Sequence, residues 1–128
     1  MAHPLIDRLV TDFGWPRLAT MADVAAFAQG PGAHCLFVPG DPKRNLESAD
    51  VAVILPELHM AFQRAFDCAL VDDAIEAALR ERTGVLKTPS LIFFRDGVCL
   101  GGIPKVRDWD DYMARVPQIL NAIPAPAA

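Results

Sequence analysis

The sequence predicts an α/β fold: a central mixed four-stranded sheet, built as a β-α-β unit followed by a β-β-α unit and flanked by helices, with an extra helical segment at the N-terminus. Three observations carry this. Ala33–Val38 and Phe66–Val71 are short, almost wholly apolar runs, as expected of strands buried on both faces. Between and after them lie longer stretches whose apolar residues recur at helical spacing. Finally, Ser90–Phe94 and Val98–Ile103 flank Arg95-Asp96-Gly97, and Asp-Gly between β-rich runs is a strong hairpin signal because glycine takes positive φ without steric cost.

Taken in chain order, Pro4–Phe13 is the first helix: Leu5, Ile6, Leu9, Val10 and Phe13 share a face, Pro4 suits the first turn and Gly14 suits the C′ position. Trp15-Pro16-Arg17-Leu18 reads as extended or turn-like. Thr20 with Asp23 three residues on resembles a capping box and opens a helix to about Gln29, ended by Gly30-Pro31-Gly32. The strand Ala33–Val38 is broken by Pro39-Gly40-Asp41-Pro42, and a polar loop, long for a strand-to-helix link, runs to Asp50. Asp50 is the expected cap of a helix reaching about Arg64, with Pro56 inside it as a kink. After Phe66–Val71, Asp72 or Asp73 caps a helix that stops at Thr83-Gly84. The hairpin follows, entered by Pro89, which is expected to be a cis proline at the strand's first position. A last helix begins near Asp108 and carries Tyr112, Met113, Val116, Ile119 and Leu120, and Ile123–Ala128 is expected to be a disordered tail. With 128 residues, one domain is expected, its core over about 33–122.

Composition narrows the function classes. The formal charge is −4, which argues against nucleic acid, whose binders need a basic footprint. No apolar run approaches the roughly 18 residues of a membrane span, so no membrane insertion is expected. The opening Met1-Ala2-His3-Pro4 has no basic segment leading into an apolar one, so no signal peptide is expected. Three cysteines, Cys35, Cys68 and Cys99, each sit within an apolar run. An odd number so placed argues against a disulfide framework and for a reducing, cytoplasmic compartment.

The β-α-β-α-β-β-α order, Thr88-Pro89 before the hairpin and a proline inside the helix after the first buried strand together resemble the thioredoxin fold over about Ala33 to Leu120. Thioredoxins carry a Cys-x-x-Cys pair at the start of that helix, facing the proline. Counting back from Pro56 places Ser48-Ala49-Asp50-Val51 there, with neither cysteine. Disulfide exchange needs an accessible low-pKa thiolate and a resolving thiol within reach, so dithiol chemistry is disfavoured. Asp41-Pro42-Lys43-Arg44, Pro56-Glu57-Leu58, Gly84-Val85, Pro89-Ser90-Leu91, Phe94, Gly102-Ile103 and Trp109, on this thiol-less pattern, look like hydrogenase expression proteins of the HyaE/HupG/HoxO type. The resemblance implies a non-catalytic, cytoplasmic accessory chaperone in maturation of an uptake [NiFe] hydrogenase. It implies as partner the small subunit precursor with its twin-arginine signal peptide, and action alongside a second accessory protein of the same operon. It implies no catalytic residues and no cofactor.

Partner-binding candidates follow from position and charge. Asp41, Pro42, Lys43 and Arg44 form either a solvated turn that stops a strand or a docking loop on a rigid scaffold. Glu47, Asp50 and Glu57 either complement a helix dipole or form an acidic edge for arginines of a signal peptide. Asp72, Asp73 and Glu76, and again Asp108, Asp110 and Asp111, are explained by capping and solvation. His3, His34 and His59 do not converge on a metal site: His34 and Cys35 point to opposite strand faces, and His59 has no ligand partner one turn on. The three cysteines are expected on interior strands as small hydrophobes. Trp15 is expected to anchor the N-terminal helix and Trp109 to pack on the sheet edge, unless either serves as an exposed interface anchor. Two other functions stay open: a redox-inactive interaction module for some other client, and a monothiol oxidoreductase using Cys35, Cys68 or Cys99.

Overall fold

A computed structural model describes residues 3–122. Helix α1 (Pro4–Thr11) opens the chain, capped by the His3 ring, whose Nδ1 accepts from the Leu5 N–H. It ends two residues before the expected Phe13. Arg17–Leu18 forms a two-residue strand, β1. Helix α2 (Met21–Ala28) begins with the Thr20/Asp23 capping box in full: Thr20 Oγ1 accepts from the Asp23 N–H and Asp23 Oδ2 from the Thr20 N–H. Strands β2 (Ala33–Val38) and β3 (Phe66–Val71) have the bounds their apolar runs predict. Between them lies α3 (Glu47–Ala61), which begins four residues earlier than expected, so Asp50 stands in its first turn and is not its cap. The cap position is Leu46, with no side-chain hydrogen bond. Pro56 lies inside α3 as expected and cannot supply the N–H that would bond the Ala52 carbonyl four residues back.

Asp72 accepts from the Ala74 N–H and starts a 3-10 turn (Asp73–Ile75) that runs into α4 (Glu76–Thr83). Gly84 ends α4 in the left-handed region at φ 76°. The hairpin of β4 (Ser90–Arg95) and β5 (Val98–Pro104) turns through Asp96 and Gly97, both at positive φ, and the Thr88–Pro89 bond before it is cis. Helix α5 (Trp109–Leu120) closes the described part. The tail expected at 123–128 lies outside the described residues.

The sheet has five strands in the order β1-β3-β2-β4-β5, where the sequence predicts four. The extra strand, β1, is the Arg17–Leu18 segment, paired parallel to Leu70–Val71. Two residues are too few for a period-2 signal, and only the distant partner makes them a strand. β2 runs parallel to β3 and antiparallel to β4, which pairs antiparallel with β5. Alternation then builds two cores. Cys35, Phe37, Cys68, Leu70, Leu91 and Phe93 face α1, α3 and α5. Leu36, Val38, Ala69, Val71, Ile92 and Phe94 face α2 and α4. Phe66 and Phe93 meet edge-on at 5.3 Å in the first core. Each buried phenylalanine contributes about 2–3 kcal/mol from area alone.

Candidate functional site

The end of the sheet where β2 and β3 finish carries the loop Pro39–Leu46, the start of α3, the cis-proline loop and the segment after β5. Ser48, where the first thiol of a thioredoxin would stand, is fully buried and donates its hydroxyl to the Pro39 carbonyl. Val51 is buried in the first core. The Thr88 carbonyl, just before Pro89, accepts from Asn45 Nδ2 at 2.6 Å and from Lys105 Nζ at 3.1 Å. Lys105 also pairs with Glu47 at 3.1 Å, and Glu47 Oε1 accepts from the Val106 N–H at 2.8 Å. That N–H, then Lys105, hold the Glu47 carboxyl below its usual pKa. Glu47 is thus engaged within the fold and is not a free member of an acidic edge. Its partners lie 58 and 59 residues on, so no local pattern announces them.

The thiols are not poised for attack. Cys35 and Cys68 are buried neighbours across β2 and β3. Burial, reinforced by the hydrogen bond to Cys68, pushes the Cys35 thiol well above its ordinary pKa. Cys99 departs from expectation: it sits on β5, an edge strand, and is only half-buried. Burial raises its pKa too. His34 lies on the α2 face, with Nε2 2.9 Å from the Gly30 carbonyl. Burial holds His59 below the ordinary imidazole range. Among the described residues, no three His, Cys, Asp or Glu side chains cluster to hold a metal.

On the other side of the same end, Asp41 opens an Asx turn: its Oδ1 accepts from the Lys43 N–H and its carbonyl from the Arg44 and Asn45 N–H groups. Lys43 and Arg44 point to solvent, and Arg44 makes a loose 3.8 Å pair with Asp41. Asp41 and Pro42 also line a pocket of about 200 Å³ with Arg17, Gly40, Asp73 and Glu76. Sequence assigned Glu76 to capping and solvation, and the structure corrects this. Glu76 is 9 % exposed, and its Oε2 accepts from the Gly40 N–H at 3.2 Å. Burial, the dominant influence, raises its pKa. The only local signal was an acid at a helix start; what covers it is the Gly40 loop, 36 residues away.

The outer face of α3 is a third feature. Leu46, Asp50, Val53, Glu57 and Met60 recur at spacings of four and three and form one stripe. Leu46 is 83 % exposed, Met60 65 % and Val53 41 %. Asp50 and Glu57 are exposed, and neither forms an ion pair among the described residues. The structure therefore brings Asp50 and Glu57 together on one face and separates them from Glu47. Trp15 packs against the first core, 5.7 Å from the His59 ring, whereas Trp109 is 43 % exposed and not packed away on the sheet edge.

The model of the family described as "Hydrogenase-1 expression protein HyaE" matches residues 5–112. The chain is 66 % identical over 120 residues to the hydrogenase expression/formation protein HupG of Rhodobacter capsulatus, covering 94 % of this chain and 87 % of that protein. It is 43 % identical over 120 residues to HoxO of Azotobacter vinelandii, a hydrogenase expression/formation protein, covering 94 % and 80 %. The crystal structure of a hydrogenase expression/formation protein hupG from Rhodopseudomonas palustris superposes with TM-score 0.57 at 34 % identity, over 82 % of this chain and 94 % of that one. A thioredoxin from Halobacterium salinarum superposes with TM-score 0.66 at 16 % identity, over 85 % and 93 %, a likeness of fold alone. The fold is thioredoxin-like.

Proposed function

The chain belongs to the HyaE family of hydrogenase expression proteins, and from that premise we propose that it serves hydrogenase maturation by binding the small subunit precursor through its twin-arginine signal peptide. The observation that carries the reading is the stripe on α3. A signal peptide is a basic segment followed by an apolar one. Asp50 and Glu57, exposed and without cationic partners among the described residues, alternate with exposed Leu46, Val53 and Met60. Such a face offers charge to the first part of that peptide and apolar area to the second, the helix-face mode of peptide recognition. The protein then acts as a chaperone by occupancy, in the cytoplasm, beside a second accessory protein, with no covalent step of its own. Asp41, Pro42, Lys43 and Arg44 border the same end of α3 and serve as the adjoining part of the contact.

The state of the thiols weighs against a monothiol oxidoreductase. Cys35 and Cys68 are buried, and burial pushes Cys35 and Cys99 away from the thiolate. A pull-down from cells that make the small subunit precursor tests the proposal. The immobilised chain is expected to retain the precursor and to lose it when the signal peptide is deleted. Retention of neither form would contradict it.

A further inference from the structure

We propose that the outer face of α3 is a helix-pairing surface: the partner binds it as an amphipathic α-helix with arginines in its first turns, not as an extended chain. The inference deepens the proposed function and rests on it only for the source of that helix, the twin-arginine signal peptide. Leu46, Val53 and Met60 stand seven residues apart, all exposed, and form an apolar row along α3. At the helical rise per residue the row is about 21 Å long. Asp50 and Glu57, also seven apart, lie about 40–60° round the helix from it, so the apolar row and the acid rail run side by side. An apolar residue every seven, flanked by charge, is the pattern by which helices select helical partners.

The backbone decides the partner's conformation. Away from the buried Pro56, the N–H and C=O groups of α3 bond one another along the helix, so its outer face offers side chains only. An apolar segment laid on that face leaves water without finding main-chain partners there, and an α-helix satisfies its own. A strand-like partner needs free main-chain groups, and the Thr88 carbonyl beside the cis-proline is already taken by Asn45 and Lys105. A helix crossing α3 obliquely, as packed helices do, sets its basic first turns over the acid rail and the apolar turns that follow over the row. A second copy of this chain is a poorer match. Two-fold pairing of α3 with itself about Val53 sets acid rail against acid rail, and like charges so placed repel.

The test follows the isotope-labelled signal peptide of the hydrogenase small subunit by NMR as the full chain is added. Its apolar segment is expected to take helical Cα shifts on binding. Val53→Glu should weaken binding at least ten-fold with the melting temperature unchanged, because the side chain is exposed. Leu86→Glu, at an exposed site in the loop before the cis-proline, should leave binding as it is. A designed helix, with arginines in its first turns and leucines after them, should bind as well. Its counterpart with a central proline should bind at least ten-fold more weakly. Extended shifts in the bound signal peptide, full affinity in Val53→Glu, or equal binding of the proline counterpart would overturn the inference and leave the signal-peptide reading standing. Binding of the designed helix, sensitive to Val53→Glu, by a chain that ignores the signal peptide would do the reverse. Dimerisation of the chain that Val53→Glu abolishes would overturn the inference in favour of a second copy, and binding of neither peptide would overturn both readings.

Discussion

Glu47 and Glu76 stand at the same end of the same sheet, both on helix starts, and their surroundings are opposite. Glu47 is about one-third exposed and fully engaged, with the Val106 N–H on one oxygen and the Lys105 ammonium on the other. Its pKa is lowered. Glu76 is buried, accepts one backbone N–H, and its pKa is raised, above all by burial. An acid whose charge the fold answers contributes stability. An acid that the fold buries beneath a loop, with a single backbone donor, costs stability once it ionises. The difference separates a polar clamp, Asn45–Glu47–Thr88–Lys105, from a carboxyl covered by the Gly40 loop.

Gly40 joins the two regions, so breaking it should break both. At φ 75° it donates to Glu76, and an added Cβ would lie 2.5 Å from Thr88 Oγ1. Gly40→Ala is expected to cost about 3 kcal/mol in chemical denaturation, from left-handed strain plus the clash. Next, Glu47→Gln should cost about 1 kcal/mol, the worth of a charge-assisted bond discounted for solvent. Because the folded pKa of Glu47 is lowered, its contribution is complete above the ordinary glutamate pKa and is lost as pH falls through the folded value. The gap between wild type and E47Q should therefore close in acid. For Glu76 the sign reverses. With the folded pKa raised, wild-type stability falls as pH rises from the ordinary glutamate value through the folded one. E76Q should thus match the wild type in acid and melt at an equal or higher temperature at pH 7. The smallest effect on folding belongs to the paired variant Asp50→Asn with Glu57→Gln, within about 0.5 kcal/mol as for other exposed sites. Its affinity for the signal peptide should nevertheless fall and lose most of its salt dependence.

Much of the scaffold was legible because it is local. Ala33–Val38 and Phe66–Val71 announce themselves by unbroken apolar character, Thr20 and Asp23 by their spacing, the hairpin by Asp96-Gly97 and the end of α4 by Gly84. What escaped depends on distant chain. β1 exists because Leu70 and Val71 supply its ladder. α3 starts at Glu47, since Val106 and Lys105 hold that turn in place of a capping side chain at residue 46. Cys99 reads as interior from its apolar neighbours, but its strand takes the sheet's edge. Of the residues singled out for binding, Asp50 and Glu57 remain free on one face, Asp41 and Pro42 border the pocket, and Glu47 is spent on the clamp. Glu76 was missed because an acid at a helix start looks the same whether water or a folded-over loop covers it.

The most direct test of the binding account is calorimetric titration of the full chain with the purified signal peptide of the hydrogenase small subunit, at two salt concentrations. The account predicts a one-to-one complex whose affinity weakens with added salt and drops at least ten-fold in the Asp50→Asn, Glu57→Gln variant. Absence of binding, or an affinity indifferent to both salt and these two acids, would contradict it.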